Sequence, residues 1–209
     1  MKILIRALFL SLLIIMPPLH SEAADGEVAG QVTRLQNAAM AIQDALPRVL
    51  SVGSEILVGD VISTGKNARI EIRMLDDSVM TLGARTNFVV VDFVFQPNEG
   101  NAAFRLLEGA FKAASGELVK VADANFIVDT PTATIGIRGT EFWGGSLAGD
   151  FEVALLSGKG VYVETKKGRV DLTTVGEGTK AIDINQPPSQ PKIWGETKVK
   201  QALATITFE

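Results

Sequence analysis

Carboxylates are the residues best placed to do chemistry in this chain, because few other candidates exist. The 209 residues include no Cys and a single His, His20. Without Cys there is no thiol nucleophile, no disulfide, and no thiolate site for zinc or an iron–sulfur cluster. His20 falls in an N-terminal segment expected to be removed, so Ser–His–Asp triads and imidazole-held metals are excluded as well. Acid–base work is left to carboxylates, Lys and Tyr162. Asp123, Asp129, Glu141 and Asp150 could include the two carboxyls that glycoside hydrolysis needs, but no spacing selects a pair. On a β-surface, solvated carboxylates are the default. Gly59 to Asn67 resembles a phosphate loop, yet its spacing is one residue too long and Asn67 stands where Ser or Thr is required. Asp76-Asp77-Ser78 lacks the alternating ligands and terminal Glu of a calcium loop and reads as a turn. No catalytic residue, metal site or cofactor is expected.

The charge balance narrows the partners. Twenty Lys and Arg against 24 Asp and Glu give −4, which argues against generic nucleic-acid binding. Met1 to Arg6 is a short positive start. Ala7 to Met16 is an apolar run broken only by Ser11, then Pro17-Pro18 and the small-x-small site Ser21-Glu22-Ala23. That order marks a secretory signal peptide, cleaved after Ala23 or Ala24. The run is too short for a membrane span of about 20 residues. Removing residues 1–23 takes Lys2, Arg6, Glu22 and His20, leaving 18 basic against 23 acidic residues and a charge of −5. No later stretch is long and apolar enough to span a membrane as a helix, so a periplasmic or secreted location is expected.

The elements that must position these residues read as strands. Arg69 to Met74 alternates, with Ile70, Ile72 and Met74 on one face and charges on the other. Phe88 to Phe95 is expected to be a strand buried on both faces. Phe126–Val128, Thr132–Arg138, Phe151–Leu156, Val161–Thr165 and Val170–Thr173 continue the series, and Lys166-Lys167-Gly168-Arg169 is a hairpin turn. With Lys159, that turn makes a small basic cluster, either a solvated guard on a strand edge or a contact for an anionic envelope polymer. Asn37 to Leu46 and Lys198 to Ala204 are the two stretches that could be helical. The fold class expected is all-β: short strands in a two-layer, β-solenoid-like or sandwich-like body, with a short C-terminal appendage. Leu57-Val58-Gly59-Asp60, Leu106-Leu107-Glu108-Gly109 and Leu155-Leu156-Ser157-Gly158 recur about every 50 residues. They hint at stacked coils, although an apolar pair before a turn glycine is also an ordinary turn entry.

One segment is long and ordered: Phe126-Ile127-Val128-Asp129-Thr130-Pro131-Thr132-Ala133-Thr134-Ile135-Gly136-Ile137-Arg138-Gly139-Thr140-Glu141-Phe142. Pro131 lacks an N–H and suits a strand start or edge. Ala133, Ile135 and Ile137 share one face. Gly136 leaves room for a close approach, Gly139 permits a positive φ, Thr140 can bond nearby backbone, and Phe142 returns to the core. Arg138 is either a structural guanidinium or a ligand-binding one. Trp143 just beyond, and Trp194 after Pro187-Pro188 and Pro191, are the candidate partner contacts, with a core-capping role the other reading of Trp143.

Together with Val58-Gly59-Asp60-Val61-Ile62-Ser63-Thr64-Gly65, Leu75 to Leu82 and Leu106 to Phe111, this signature resembles the FecR domain family over about residues 50–184. Its carriers here are Thr130, Pro131, Ala133, Arg138, Gly139, Thr140 and Phe142. The resemblance implies an exported all-β, non-enzymatic module for sensing or protein contacts. Signalling members place a cytoplasmic sigma-factor-holding segment and a membrane helix before this domain. Here the expected layout is signal peptide 1–23, lead-in 24–49, β domain 50–184, and a Pro-rich connection and tail 185–209. Direct sigma-factor contact is therefore not expected, and the expected partner is an envelope protein or glycan. A small anionic ligand, such as a ferric chelate bound near Arg138, is the alternative that the resemblance suggests.

Overall fold

The computed structural model describes residues 26–137 and 139–209, which form two nine-stranded sheets and one α-helix. The chain lays down β1 (Val28–Gln36) in the first sheet, then crosses to the second for β2 (Ala39–Gln43) and β3 (Leu46–Val49). It returns for β4 (Glu55–Leu57) and crosses again for β5 (Val61–Thr64). Hairpins then alternate: β6 (Arg69–Met74) and β7 (Val79–Leu82) in the first sheet, β8 (Asn87–Gln96) and β9 (Glu99–Glu108) in the second. β10 (Ala110–Ala114) rejoins the first sheet, followed by β11 (Asn125–Asp129) and β12 (Thr134–Ile137) in the second. Next come β13 (Thr140–Ser146) and β14 (Phe151–Gly158) in the first, and β15 (Val161–Thr165) and β16 (Gly168–Leu172) in the second. β17 (Glu177–Ala181), β18 (Lys192–Ile193) and helix α1 (Glu196–Ala204) complete the chain.

The order is β4-β1-β6-β7-β10-β13-β14-β17-β18 in one sheet and β3-β2-β5-β8-β9-β11-β12-β15-β16 in the other. The chain thus zigzags between layers while advancing along both, a sandwich with solenoid-like progression. β9 and β11 pair in parallel, and the other paired strands are antiparallel. Between the sheets the contacts Phe126–Phe104–Phe88–Phe111–Phe142 link five buried rings at 5.3–5.6 Å. Such pairs add about 0.5–1.5 kcal/mol each beyond the area they bury.

The alternation in Arg69–Met74 appears as expected, with Ile70, Ile72 and Met74 inward in β6. The turn at Lys166-Lys167 joins β15 to β16. The glycines of the three recurring stretches, Gly59, Gly109 and Gly158, have φ of +93°, +100° and +99°, and each sits where the chain leaves one sheet for the other. The recurrence is therefore structural.

Two expectations need correction. Asn37 to Leu46 is not helical: Ala39 and Ala41 enter the core from β2, and Asp44 and Ala45 turn the chain with φ of +49° and +64°. Two successive positive φ values suit a tight hairpin whose ladder outweighs a weak helical preference. Phe88 to Phe95 is half-buried: Phe88, Val90 and Phe93 face the core, a bulge between Val90 and Asp92 shifts which positions point inward, and Val91 and Phe95 are exposed. Lead-in and tail are both built into the body. β1 to β3 fall within residues 24–49, and the C-terminal segment lies across the outer face of the first sheet.

Candidate functional site

The signature begins in a side-chain-stapled turn. Thr130 Oγ1 donates to the Ala133 carbonyl at 2.8 Å and accepts from the Ala133 N–H at 3.0 Å, which lifts Pro131 to an exposed apex. Ala133 and, in β12, Ile135 and Ile137 then face inward. On the other face of β12 the Tyr162 ring lies directly over Gly136, and the Arg169 guanidinium covers that ring at 3.9 Å. A 2.7 Å bond to Asp171 raises the Arg169 pKa above its ordinary value. Gly139 adopts φ +66°, as its place in the signature suggested. Thr140 Oγ1 donates to the Gly160 carbonyl at 2.7 Å and accepts from its N–H at 3.0 Å. Phe142 is fully buried, edge-on to Phe111. Arg138 lies outside the described residues.

The same hydroxyl device recurs in the other half. Thr86 Oγ1 donates to the Ala110 carbonyl and accepts from its N–H, both at 3.2 Å. Arg85-Thr86-Asn87-Phe88 and Arg138-Gly139-Thr140-Glu141-Phe142 are the corresponding stretches of the sequence.

The carboxylates do not converge. Asp129 accepts from Thr134 Oγ1 at 2.6 Å in the second sheet, while Glu141 pairs with Lys112 at 2.6 Å in the first. Asp150 pairs with Lys180 at 3.0 Å, and this bond raises the Lys180 pKa. Asp123 sits in a loop at φ +57°. Among the described residues no cluster of acidic side chains could hold a metal ion. Asp76 and Ser78 form the expected turn: Asp76 accepts from Ser78 N at 3.0 Å, from Ser78 Oγ at 2.6 Å and from Leu118 N at 3.1 Å.

What the signature does present to solvent is a shallow cleft of about 260 Å³ lined by Pro131, Thr132, Leu107, Gly109, Phe151 and Ile182. Leu107 is 48% exposed and Ile182 58%. Thr132 Oγ1 is buried there without a hydrogen-bond partner. Leu107 was findable, since two adjacent leucines in a strand cannot both face the core. Ile182 carries no comparable sequence signal.

The two tryptophans differ from contact residues on an open surface. Trp143 is fully buried under the C-terminal segment, its Nε1 donating to Thr205 Oγ1 at 2.9 Å, so the capping reading describes it. Trp194 is half-buried, edge-on to Trp143 at 5.9 Å, pressed against Gly178 and covered by Lys198 Nζ at 4.0 Å.

A family profile described as "FecR protein" matches residues 60–171, more than half of the chain. The chain belongs to the FecR family. The match falls within the 50–184 interval and contains the whole signature. No curated protein matches this sequence. Two crystal structures, at 1.65 Å and 2.50 Å, of a Parabacteroides distasonis ATCC 8503 protein assigned as an anti-sigma factor are similar to this FecR-family chain. Each has a TM-score of 0.52 and 18% identity, and the alignment covers 66% of this chain and 61% of theirs. That likeness shows the two-sheet fold; the FecR-family chain spans less than two thirds of their length.

Proposed function

We propose that this FecR-family chain is an exported, non-catalytic sensory or interaction module that binds an envelope partner at the Pro131–Leu107–Ile182 cleft. The observation that carries the reading is the cleft itself. The family signature reaches the surface at Pro131, beside the exposed aliphatic side chains of Leu107 and Ile182. Exposed large aliphatics grouped in one cleft suit a protein contact, in which burial of apolar area drives binding. The lining favours a protein over a glycan, since no Trp or Tyr is among the residues that form it. The dispersed carboxylates support a binding role over hydrolysis, and family membership supports a sensory or regulatory setting.

The test is a double substitution, Leu107→Asp with Ile182→Asp, in the exported protein. Both side chains are exposed, so thermal stability should stay close to that of the parent. Capture of a specific envelope protein by the parent, lost in the variant at unchanged stability, is the expected result. Equal capture by both proteins would contradict the assignment. N-terminal sequencing of the exported chain is expected to begin at Ala24 or Asp25. An unprocessed Met1 start would contradict the export reading.

A further inference from the structure

The segment from Lys192 to Glu209 lies beyond the family match, which ends at residue 171, and runs across the outer face of the first sheet. Its path is fixed by a few side-chain contacts. Trp194 lies on Gly178, Lys198 Nζ bonds Glu152 Oε1 at 2.7 Å, and Thr205 Oγ1 accepts from Trp143. At the far end Arg69 reaches the Ala204 carbonyl at 3.3 Å, and the Arg34 guanidinium sits 4.1 Å from the Phe208 ring. Beneath the strap, Trp143, Ala110, Ala154 and Leu156 form an apolar trough completed by Ala202 and Ile206 from above.

Two features make this cover removable. The helix has nine residues and no side-chain cap at Gly195, a length at which an isolated helix is marginal in water. Only Ala202 and Ile206 of the segment are buried. Elements with few buried apolar contacts open at lower free energy than core strands. The trough also holds a charge that the strap serves incompletely. Glu152 is 3% exposed; its Oε1 meets Lys198 and, at 3.5 Å, Lys180, while its Oε2 has no hydrogen-bond partner. A buried carboxylate oxygen left unpaired is costly, and a forked guanidinium or a better-placed ammonium would relieve it.

We propose that the outer face of the first sheet is a regulated docking groove, held closed in cis by the C-terminal strap. Its occupant in trans is an amphipathic partner helix bringing a small aliphatic stripe to Trp143 and a basic side chain to Glu152. The strap defines this chemistry because it is the occupant seen, and charge complementarity at Glu152 selects the sign of the partner. Displacement lets the chain report on its partner only when the partner outcompetes a tethered segment, whose effective concentration is of millimolar order.

The probe is a labelled synthetic peptide of residues 192–209, added to the full-length exported protein. Lys198→Ala with Ile206→Ser loosens the strap without touching the sheet. The loosened chain is expected to bind the peptide at least about tenfold more tightly than the parent, read from the anisotropy of the peptide's label. A Lys198→Glu peptide should lose that advantage, because it sets a carboxylate against Glu152. Equal binding by folded parent and loosened chains, or indifference to the peptide's charge reversal, would overturn the proposal. Should the loosened chain not fold, hydrogen exchange on the parent decides. Amides of 196–206 exchanging at least about tenfold faster than those of β13 and β14 support a removable strap, and exchange only with global unfolding overturns it.

Discussion

A methyl group added at Gly136 would fall inside the Tyr162 ring, so the smallest side chain in the signature strand is set by a residue 26 positions later. Gly136→Ala should therefore cost about 1–3 kcal/mol in denaturant unfolding, as overpacking does in a close-packed interior. Gly195→Ala, with open space around its Cβ position and no positive φ, should cost less, no more than the roughly 1 kcal/mol of a lost glycine N-cap. Equal effects at the two positions would contradict this. Thr86→Val keeps the shape but removes the hydroxyl that accepts from the buried Ala110 N–H, with an expected loss of about 1–3 kcal/mol by chemical denaturation. Residue-level reading from sequence succeeded where the constraint is local. Gly139 has the positive φ expected of a glycine ending a strand, and Phe142 returns to the core. It could not foresee Tyr162 over Gly136 or the strap over Trp143, because both partners arrive from distant chain.

Elements were legible in proportion to their periodicity. β6 alternates, and its buried face was evident from Ile70, Ile72 and Met74. The segment 37–46 carries few β-branched residues, and only pairing with β3 and β5 makes a strand of it. The bulge in β8 was hidden for the same reason, since register depends on the partner strand. A short element held by one side chain gives a test at this scale. Asp76 anchors the 3-10 turn at Leu118–Lys120 by accepting from Leu118 N. Asp76→Ala leaves that N–H and the Ser78 N–H without their acceptor, so a loss of about 1–3 kcal/mol is expected, with faster amide exchange at 117–121 than elsewhere. Uniform exchange across the chain would contradict the anchoring role.

At the scale of the whole molecule, one core joins both sheets through the linked Phe side chains, and the five-ring contact path crosses from one layer to the other at Phe88–Phe111. Phe111→Ala should destabilise both layers together, by about 3–5 kcal/mol in a single cooperative transition. Separate transitions for the two sheets would contradict that unity. The zigzag advance through Gly59, Gly109 and Gly158 sets the Pro131–Leu107–Ile182 cleft, the proposed contact surface, on the framework of the two sheets. A photo-crosslinking residue placed at Leu107 or Ile182 of the full chain expressed in cells, with Lys200 on the exposed side of α1 as the control position, tests the proposed contact most directly. The account predicts the same discrete protein adduct from positions 107 and 182 and none from 200. Adducts independent of position, or none from the cleft while the protein is folded, would contradict it.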